Sequence, residues 1–210
     1  MFKNREEAGE LLAQKLKKII TNKEFVVVAL LRGGIVLGKR VSDYFNIPLL
    51  PLVVKKIGAP LNRELGIGAV TIDKTYYFHK DLIKHLNVSK DYLKNSLGNK
   101  WREVKAMQKK FNKSKISLRE KKVIIVDDGI ATGATAICAA KYAKKEKAKE
   151  IILAAPVIAK DSLKIIKSYF DRAVFLKISS SLVSVSEFYD YFPQVEDEEV
   201  IEILKSKIKS

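Results

Sequence analysis

Two adjacent acids, Asp127 and Asp128, follow directly on four apolar residues in the run VIIVDDGIATGAT, residues 123–135. Charge at such a position is costly to bury without a partner, so an ordinary capped strand–turn–helix does not account for it. The chemistry it suits is that of a sugar phosphate. Ionised carboxylates only accept hydrogen bonds, and two side by side match the paired 2′- and 3′-hydroxyls of a ribose. The short loop that follows carries Thr132, Gly133 and Thr135, and a helix is expected to begin at about Ala134. Backbone N–H groups at a helix start lack intrahelical partners and sit at the positive end of its dipole, which makes a ready anion site. Gly133 lets the backbone approach a phosphate closely, and the threonine hydroxyls can donate to its oxygens. The lysine of a Walker loop is absent.

A second segment is LLRGG, residues 30–34, at the end of the apolar run FVVVAL. Arg32 supplies a cation for a polyanion, and Gly33 and Gly34 supply N–H groups on a backbone free to take the strained conformation such a loop needs. A third is VVKKIGAPLNRELGIGAV, residues 53–70, where Lys55 and Lys56 follow a strand and Gly58, Pro60 and Gly66 mark residues 55–66 as a loop.

These segments need a scaffold. Residues 5–21 are expected to form an amphipathic helix with Leu11, Leu12, Leu16, Ile19 and Ile20 on one side. FVVVAL (25–30) has no alternation, which fits a strand covered on both faces. A helix over 35–45, a strand over 47–54, a strand over 67–72 and a paired TYYF (75–78) follow. Ser89 is the expected N-cap of a Lys-rich helix over 89–112. Then come strands at 122–128, 150–157 and 172–178, with helices over 134–147, 160–169 and about 197–208, the last with Asp197 as N-cap. This alternation implies an α/β fold: a doubly wound, mainly parallel sheet flanked by helices. Ligands of such sheets bind beyond the carboxyl ends of the strands, here after Leu30, Val54 and Val126.

VIIVDDGIATGAT resembles the motif by which type I phosphoribosyltransferases bind 5-phosphoribosyl-1-pyrophosphate (PRPP), along its whole length. FYDYFPQVEDEEV (188–200) and KKIGAP further resemble a subgroup of that family with an unassigned acceptor. The resemblance covers nearly all of the chain, with 79–115 only loosely matched. It implies one domain over 1–210, with a small hood built from the N-terminal helix and residues 179–210. It also implies that Asp127 and Asp128 hold the ribose hydroxyls and that Ala131, Thr132, Gly133, Ala134 and Thr135 cradle the 5′-phosphate. Arg32, Gly33 and Gly34 would bind pyrophosphate. Lys55 and Lys56 would be catalytic cations, and a loop over 57–66, with Arg63, would close on the substrates. Under the hood, Phe188, Tyr189 and Tyr191 are candidates to stack on the acceptor. The implied reaction displaces pyrophosphate from ribose C1 by a nitrogen nucleophile with Mg²⁺, which would be held mainly by substrate and water, with Asp127 and Asp128 as its protein ligands. A homodimer is expected. Family members acting on 6-oxopurines often carry an acid at the position of Ala131, so hypoxanthine, guanine and xanthine are disfavoured acceptors.

The bulk composition sets outer bounds. The single cysteine, Cys138, excludes an intrachain disulfide, and the N-terminal residues show no apolar export signal, so a cytoplasmic location is expected. No apolar run reaches the roughly 20 residues needed to span a bilayer. The formal net charge is +16, but it is lopsided: residues 79–122 carry fourteen Lys/Arg against four acids, and 187–202 carry seven acids and no base. A solvated helix face explains the first better than a nucleic-acid platform. The rival reading is a regulator of the same fold that senses PRPP or a nucleotide and binds nucleic acid. His79 and His85 are expected to be solvated.

Overall fold

The structure is a computed structural model that describes residues 1–111 and 116–206. The ends expected for two helices, at 112 and 208, lie outside these residues. Seven α-helices are described: α1 (Arg5–Leu16), α2 (Gly34–Phe45), α3 (Lys80–His85), α4 (Lys90–Phe111), α5 (Ala134–Lys145), α6 (Ser162–Ile166) and α7 (Asp197–Lys205). The strands are β1 (Phe25–Leu31), β2 (Leu49–Val53), β3 (Lys55–Gly58), β4 (Gly66–Val70), β5 (Tyr76–Phe78), β6 (Lys122–Val126), β7 (Glu150–Ala159) and β8 (Arg172–Ser179).

Five strands form a parallel sheet in the order β2-β1-β6-β7-β8. Its register pairs Val27 with Ile124 across β1–β6 and Ile124 with Ile152 across β6–β7. The unbroken apolar runs are explained by burial on both faces. Phe25 and Val27 face a cluster with Leu12, Leu16 and Leu37 of α1 and α2, while Val26, Val28 and Leu30 face Ile137 and Cys138 of α5. The chain winds from β1 outward to β2, then returns and runs through β6, β7 and β8 in the opposite direction. The reversal falls between β1 and β6.

Several expectations change. Residues 55–58 are a strand, not loop: Ile57 is buried and pairs with Gly68. The strand read at 67–72 pairs with TYYF as expected, but outside the main sheet. It is the centre of a separate antiparallel sheet, β3-β4-β5. Asp197 is the first residue of α7, and Glu196 is its cap. The helix expected over 160–169 narrows to α6, and α1 ends at Leu16. Ser89 does cap α4, its Oγ accepting from Tyr92 N at 3.2 Å.

α4 closes the sheet edge. Gln108 accepts from Val53 N at 2.8 Å and donates to Pro51 O at 3.2 Å, so it pairs backbone groups that the edge strand β2 leaves free. The β4–β5 turn is tied by Asp73, which accepts from Thr71 Oγ1 (2.7 Å), Thr75 N (3.0 Å), Thr75 Oγ1 (2.8 Å) and Lys145 Nζ (2.7 Å). Burial works to raise the Asp73 carboxyl, but these donors prevail and hold it at about 2, from 3.8. Such a depression stabilises the folded state by about 2 kcal/mol above the unfolded value, and the benefit is lost as pH falls through the folded one. Asp73→Asn should therefore cost about 2 kcal/mol in urea unfolding at neutral pH. The difference from the parent should shrink between about pH 4 and pH 2. A gap unchanged over that range would mean the hydrogen bonds, not the charge, carry the effect.

Candidate functional site

The reversal brings the ends of β1 and β6 side by side, and both candidate loops leave the sheet there. This is where open α/β sheets bind ligands. At the end of β6, Asp128 N donates to Asp127 Oδ1 at 3.0 Å. Both carboxylates are half-buried. Burial raises the Asp127 carboxyl well above 3.8, and the neighbouring Asp128 charge adds to this; Arg5 and a hydrogen bond from Thr135 work against it. Burial also pushes Asp128 up, with Arg5 the main opposing influence. Of the two carboxyls, Asp128 has the guanidinium beside it, and Asp127 is the one pushed up further.

Arg5 was not singled out by the sequence reading. Its Nε donates to Asp128 Oδ2 at 2.9 Å, its Nη1 donates to Pro193 O at 2.7 Å, and its guanidinium lies 3.6 Å from the centroid of Phe192. Only 7% of Arg5 is exposed. The available signal was its spacing. Arg5, Ala8, Leu12 and Leu16 lie at helical intervals, so a charged residue stands on the buried stripe of α1.

The β1–α2 loop approaches the same acid. A Cβ at Gly33 would overlap Asp128 Oδ2 and lie 3.1 Å from Arg5 Nε. Gly33 has φ −59°, so the glycine is required by contact and not, as anticipated, by an unusual backbone angle. Gly34 opens α2. Arg32 does not stand free for a polyanion: its Nη1 lies 2.9 Å from Glu196 Oε2 and 3.7 Å from Asp197 Oδ1. Lys110 also pairs with Asp197 at 2.7 Å, and the charges of Lys110, Arg32 and Lys55 hold the Asp197 carboxyl below its ordinary value.

The 129–135 loop lines a cavity of about 120 Å³ together with Lys56, Glu64, Gly66 and Val185. Here the glycine requirement is conformational, since Gly133 has φ +75° as it enters α5. Ala131 is exposed, and its carbonyl accepts from Ser162 Oγ. Lys56 reaches this cavity and pairs with Glu64 at 2.9 Å. Lys55 and Lys56 are neighbours on β3, so their side chains leave opposite faces. Lys55 acts on Asp197 and Lys56 on the cavity beside Thr132. The two lysines expected as catalytic cations are thus divided between the two loops.

Of the three aromatic candidates, Tyr189 is corrected. Tyr189 is 4% exposed, packs against Phe2 and Phe192, and donates its hydroxyl to Asp128 O at 2.7 Å. Burial, with the Asp128 charge, pushes its phenol far up. A ring with no open face cannot stack on an acceptor, so Tyr189 braces Asp128. Phe188 packs into the same cluster, and Tyr191 is 67% exposed. His79 caps α3, accepting from Leu82 N at 3.3 Å.

A phosphoribosyl transferase domain model matches residues 3–192. The chain belongs to the phosphoribosyl transferase domain family. Two Mycobacterium tuberculosis proteins, of strains CDC 1551 and H37Rv, provisionally named phosphoribosyl transferases, are each 32% identical over 206 residues. The match covers 97% of this chain but 46% of each relative, so the chain spans about half their length. Among solved structures, a protein of Thermus thermophilus superposes with TM-score 0.79 at 27% identity, over 97% of both chains. A purine phosphoribosyltransferase of Pyrococcus horikoshii shares the fold at TM-score 0.50 and 22% identity, over 91% of this chain and 89% of its own. Among the described residues no helix is long and apolar enough to cross a membrane.

Two outcomes check the charge arrangement. Arg5→Met leaves the Asp128 carboxylate without its partner and should cost roughly 3 kcal/mol; adding Asp128→Asn should recover much of that, and simple additivity would show that the pair is not coupled. Asp127 has a raised folded pKa. The stability it contributes is present below 3.8 and is lost as pH rises through the folded value. Asp127→Asn should thus raise the melting temperature of the ligand-free protein at neutral pH, by about 2–4 °C per kcal/mol relieved, and leave it unchanged near about pH 3. Equal effects at both pH values would remove charge as the cause.

Proposed function

We propose that this chain is a Mg²⁺-dependent phosphoribosyltransferase that binds PRPP at the β1–β6 reversal and moves the phosphoribosyl group between PRPP and a nitrogenous acceptor. One observation carries this reading: the acid pair, the N-terminus of α5 and the Arg32 loop converge on one end of the sheet. Asp127 and Asp128 would accept from the ribose hydroxyls, and the 131–135 amides would hold the 5′-phosphate with Lys56 beside them. Arg32 and the amides of Gly33 and Gly34 would receive the pyrophosphate, with Lys55 on the same side. Glu196 and Asp197 then have to yield Arg32 to the ligand.

In the reaction the acceptor nitrogen donates its electron pair to ribose C1. The bond from C1 to the pyrophosphate oxygen breaks, and its electrons leave with pyrophosphate. Positive charge gathers on the sugar ring in the transition state, and negative charge on the leaving group, so the protein's part is positioning and charge compensation. The Glu64 carboxylate now on Lys56 and the acids on Arg32 are the internal stand-ins for the two anionic ends of the substrate.

The family implies Mg²⁺, and the residues fit an ion brought in by its ligand. Asp127 and Asp128 offer carboxylate oxygens, and among the described residues no group of three or more His, Cys, Asp or Glu could hold a metal. Mg²⁺ would supply positive charge to the pyrophosphate oxygens while keeping several waters. The exposed methyl of Ala131 offers nothing to the N7 of a purine, which argues against 6-oxopurine acceptors. A homodimer in the cytoplasm is the assembly and location that accompany this reading, and light scattering of the purified chain tests the assembly.

Calorimetry with PRPP and Mg²⁺ should give saturable heat, and ligand should raise the melting temperature. Asp127→Asn and Asp128→Asn should each weaken binding by about tenfold or more, since each removes charge-assisted hydrogen bonds. Absence of heat would overturn the reading. In a pyrophosphate-release assay over purines, pyrimidines, nicotinate and small amines, hypoxanthine and guanine should turn over poorly, and efficient turnover of either would remove Ala131 as a determinant.

A further inference from the structure

A second hollow lies away from the reversal, between α4 and the β4–β5 turn, and shares no lining residue with the phosphate cavity. Its volume is about 450 Å³, within the range of small-molecule sites. Val70, Leu97 and the rings of Trp101 and Tyr76 make its apolar walls, and Lys74, Lys94 and Arg102 line it as cations. None of its lining residues is acidic. Trp101 is held in place, its indole N–H donating to Ile72 O at 2.9 Å. Lys74 Nζ lies 4.0 Å and Lys105 Nζ 4.8 Å from the Trp101 ring centroid.

Gly98 supplies an independent observation. It sits inside the 22-residue helix α4 and lines the hollow. A glycine there costs about 1 kcal/mol relative to alanine, and packing does not demand it, because a Cβ would meet nothing within 4 Å. A side chain at that position would project into the open space that the hollow needs.

We propose that this hollow is a second ligand site that takes a free nucleoside phosphate, with its base against Trp101 and its phosphates between Lys74, Lys94 and Arg102. An aromatic wall ringed by cations matches a flat base joined to an anion, since a base stacks on an indole and the displaced ammonium groups are left to pair with phosphate. A strand of nucleic acid fits less well. Single-strand binders offer successive aromatic platforms along the backbone path. On α4 the other two aromatics are committed elsewhere: Tyr92 donates to Gly58 O at 2.9 Å and Phe111 is buried. The assignment does not depend on the PRPP site and would survive its failure.

Trp101 is the only tryptophan in the chain, so its fluorescence reports this site alone. Titration of the full chain with AMP, GMP, UMP, CMP and their triphosphates, in saturating PRPP and Mg²⁺, should give a saturable change for at least one nucleotide. The midpoint should rise by about tenfold in the Lys94→Gln, Arg102→Gln double variant, which removes two charge-assisted contacts. Gly98→Leu should abolish the change while PRPP heats stay as in the parent. Asp127→Asn should leave the change intact. The proposal is overturned if no nucleotide alters Trp101 fluorescence, or if Asp127→Asn removes the response and Gly98→Leu does not. Oligonucleotides whose midpoints fall steadily with strand length would also overturn it, in favour of a nucleic-acid surface.

Discussion

Two carboxylates side by side at the end of a buried strand set the terms for everything around them. Charge so placed is tolerated only with a partner, and here the partner comes from the first helix, 123 residues away in sequence. The rest of the region serves that contact. Pro193 O takes a second guanidinium N–H, Phe192 covers its face, Tyr189 holds the Asp128 carbonyl, and Gly33 gives up a side chain so that the β1 loop can close on the same carboxylate. The N-terminal residues and the 188–193 segment run together, with Phe2 N donating to Phe188 O at 2.8 Å. The N-terminal residues and the 188–193 segment are thus pinned to the acid pair they compensate.

A second regularity is electrostatic. The chain is strongly basic, yet the cations nearest the reversal are not free. Arg32 is engaged by Glu196 and Asp197, and Lys56 by Glu64. These pairs are exposed enough that each contributes little to stability, so exchanging their carboxylates for phosphate oxygens costs little. The acids of residues 187–202 and the bases of residues 79–122 also meet, through Lys110 and Asp197. Part of the charge that is lopsided along the sequence is thus matched in space.

Much of the scaffold was legible because burial on both faces leaves a plain signature. FVVVAL, KVIIV and EIILAAPV contain no alternation and no glycine, so they could be little else than central parallel strands. The motif at 123–135 was legible for a different reason: its backbone amides, its helix start and Gly133 are all local. Residues 55–58 were misread because the flanking glycines and proline signal a loop. What makes the segment a strand is pairing with β4, further along the chain. Tyr189 was misassigned because an aromatic in such a segment reads the same whether its ring faces a ligand or a core.

The sequence by itself determined the strands of the main sheet and most of the helices around them, the acid pair with its phosphate-type loop, and the family resemblance, because each is written in contiguous residues. Tertiary structure alone decided which cations serve which loop, since alternation along β3 sends Lys55 and Lys56 to different sides. It alone placed Arg5 against Asp128 and Glu196, the cap of α7, against Arg32. Those contacts join residues 123 and 164 positions apart. No local propensity encodes such a distance. Only the packing of α1 and α7 around the sheet reversal closes it.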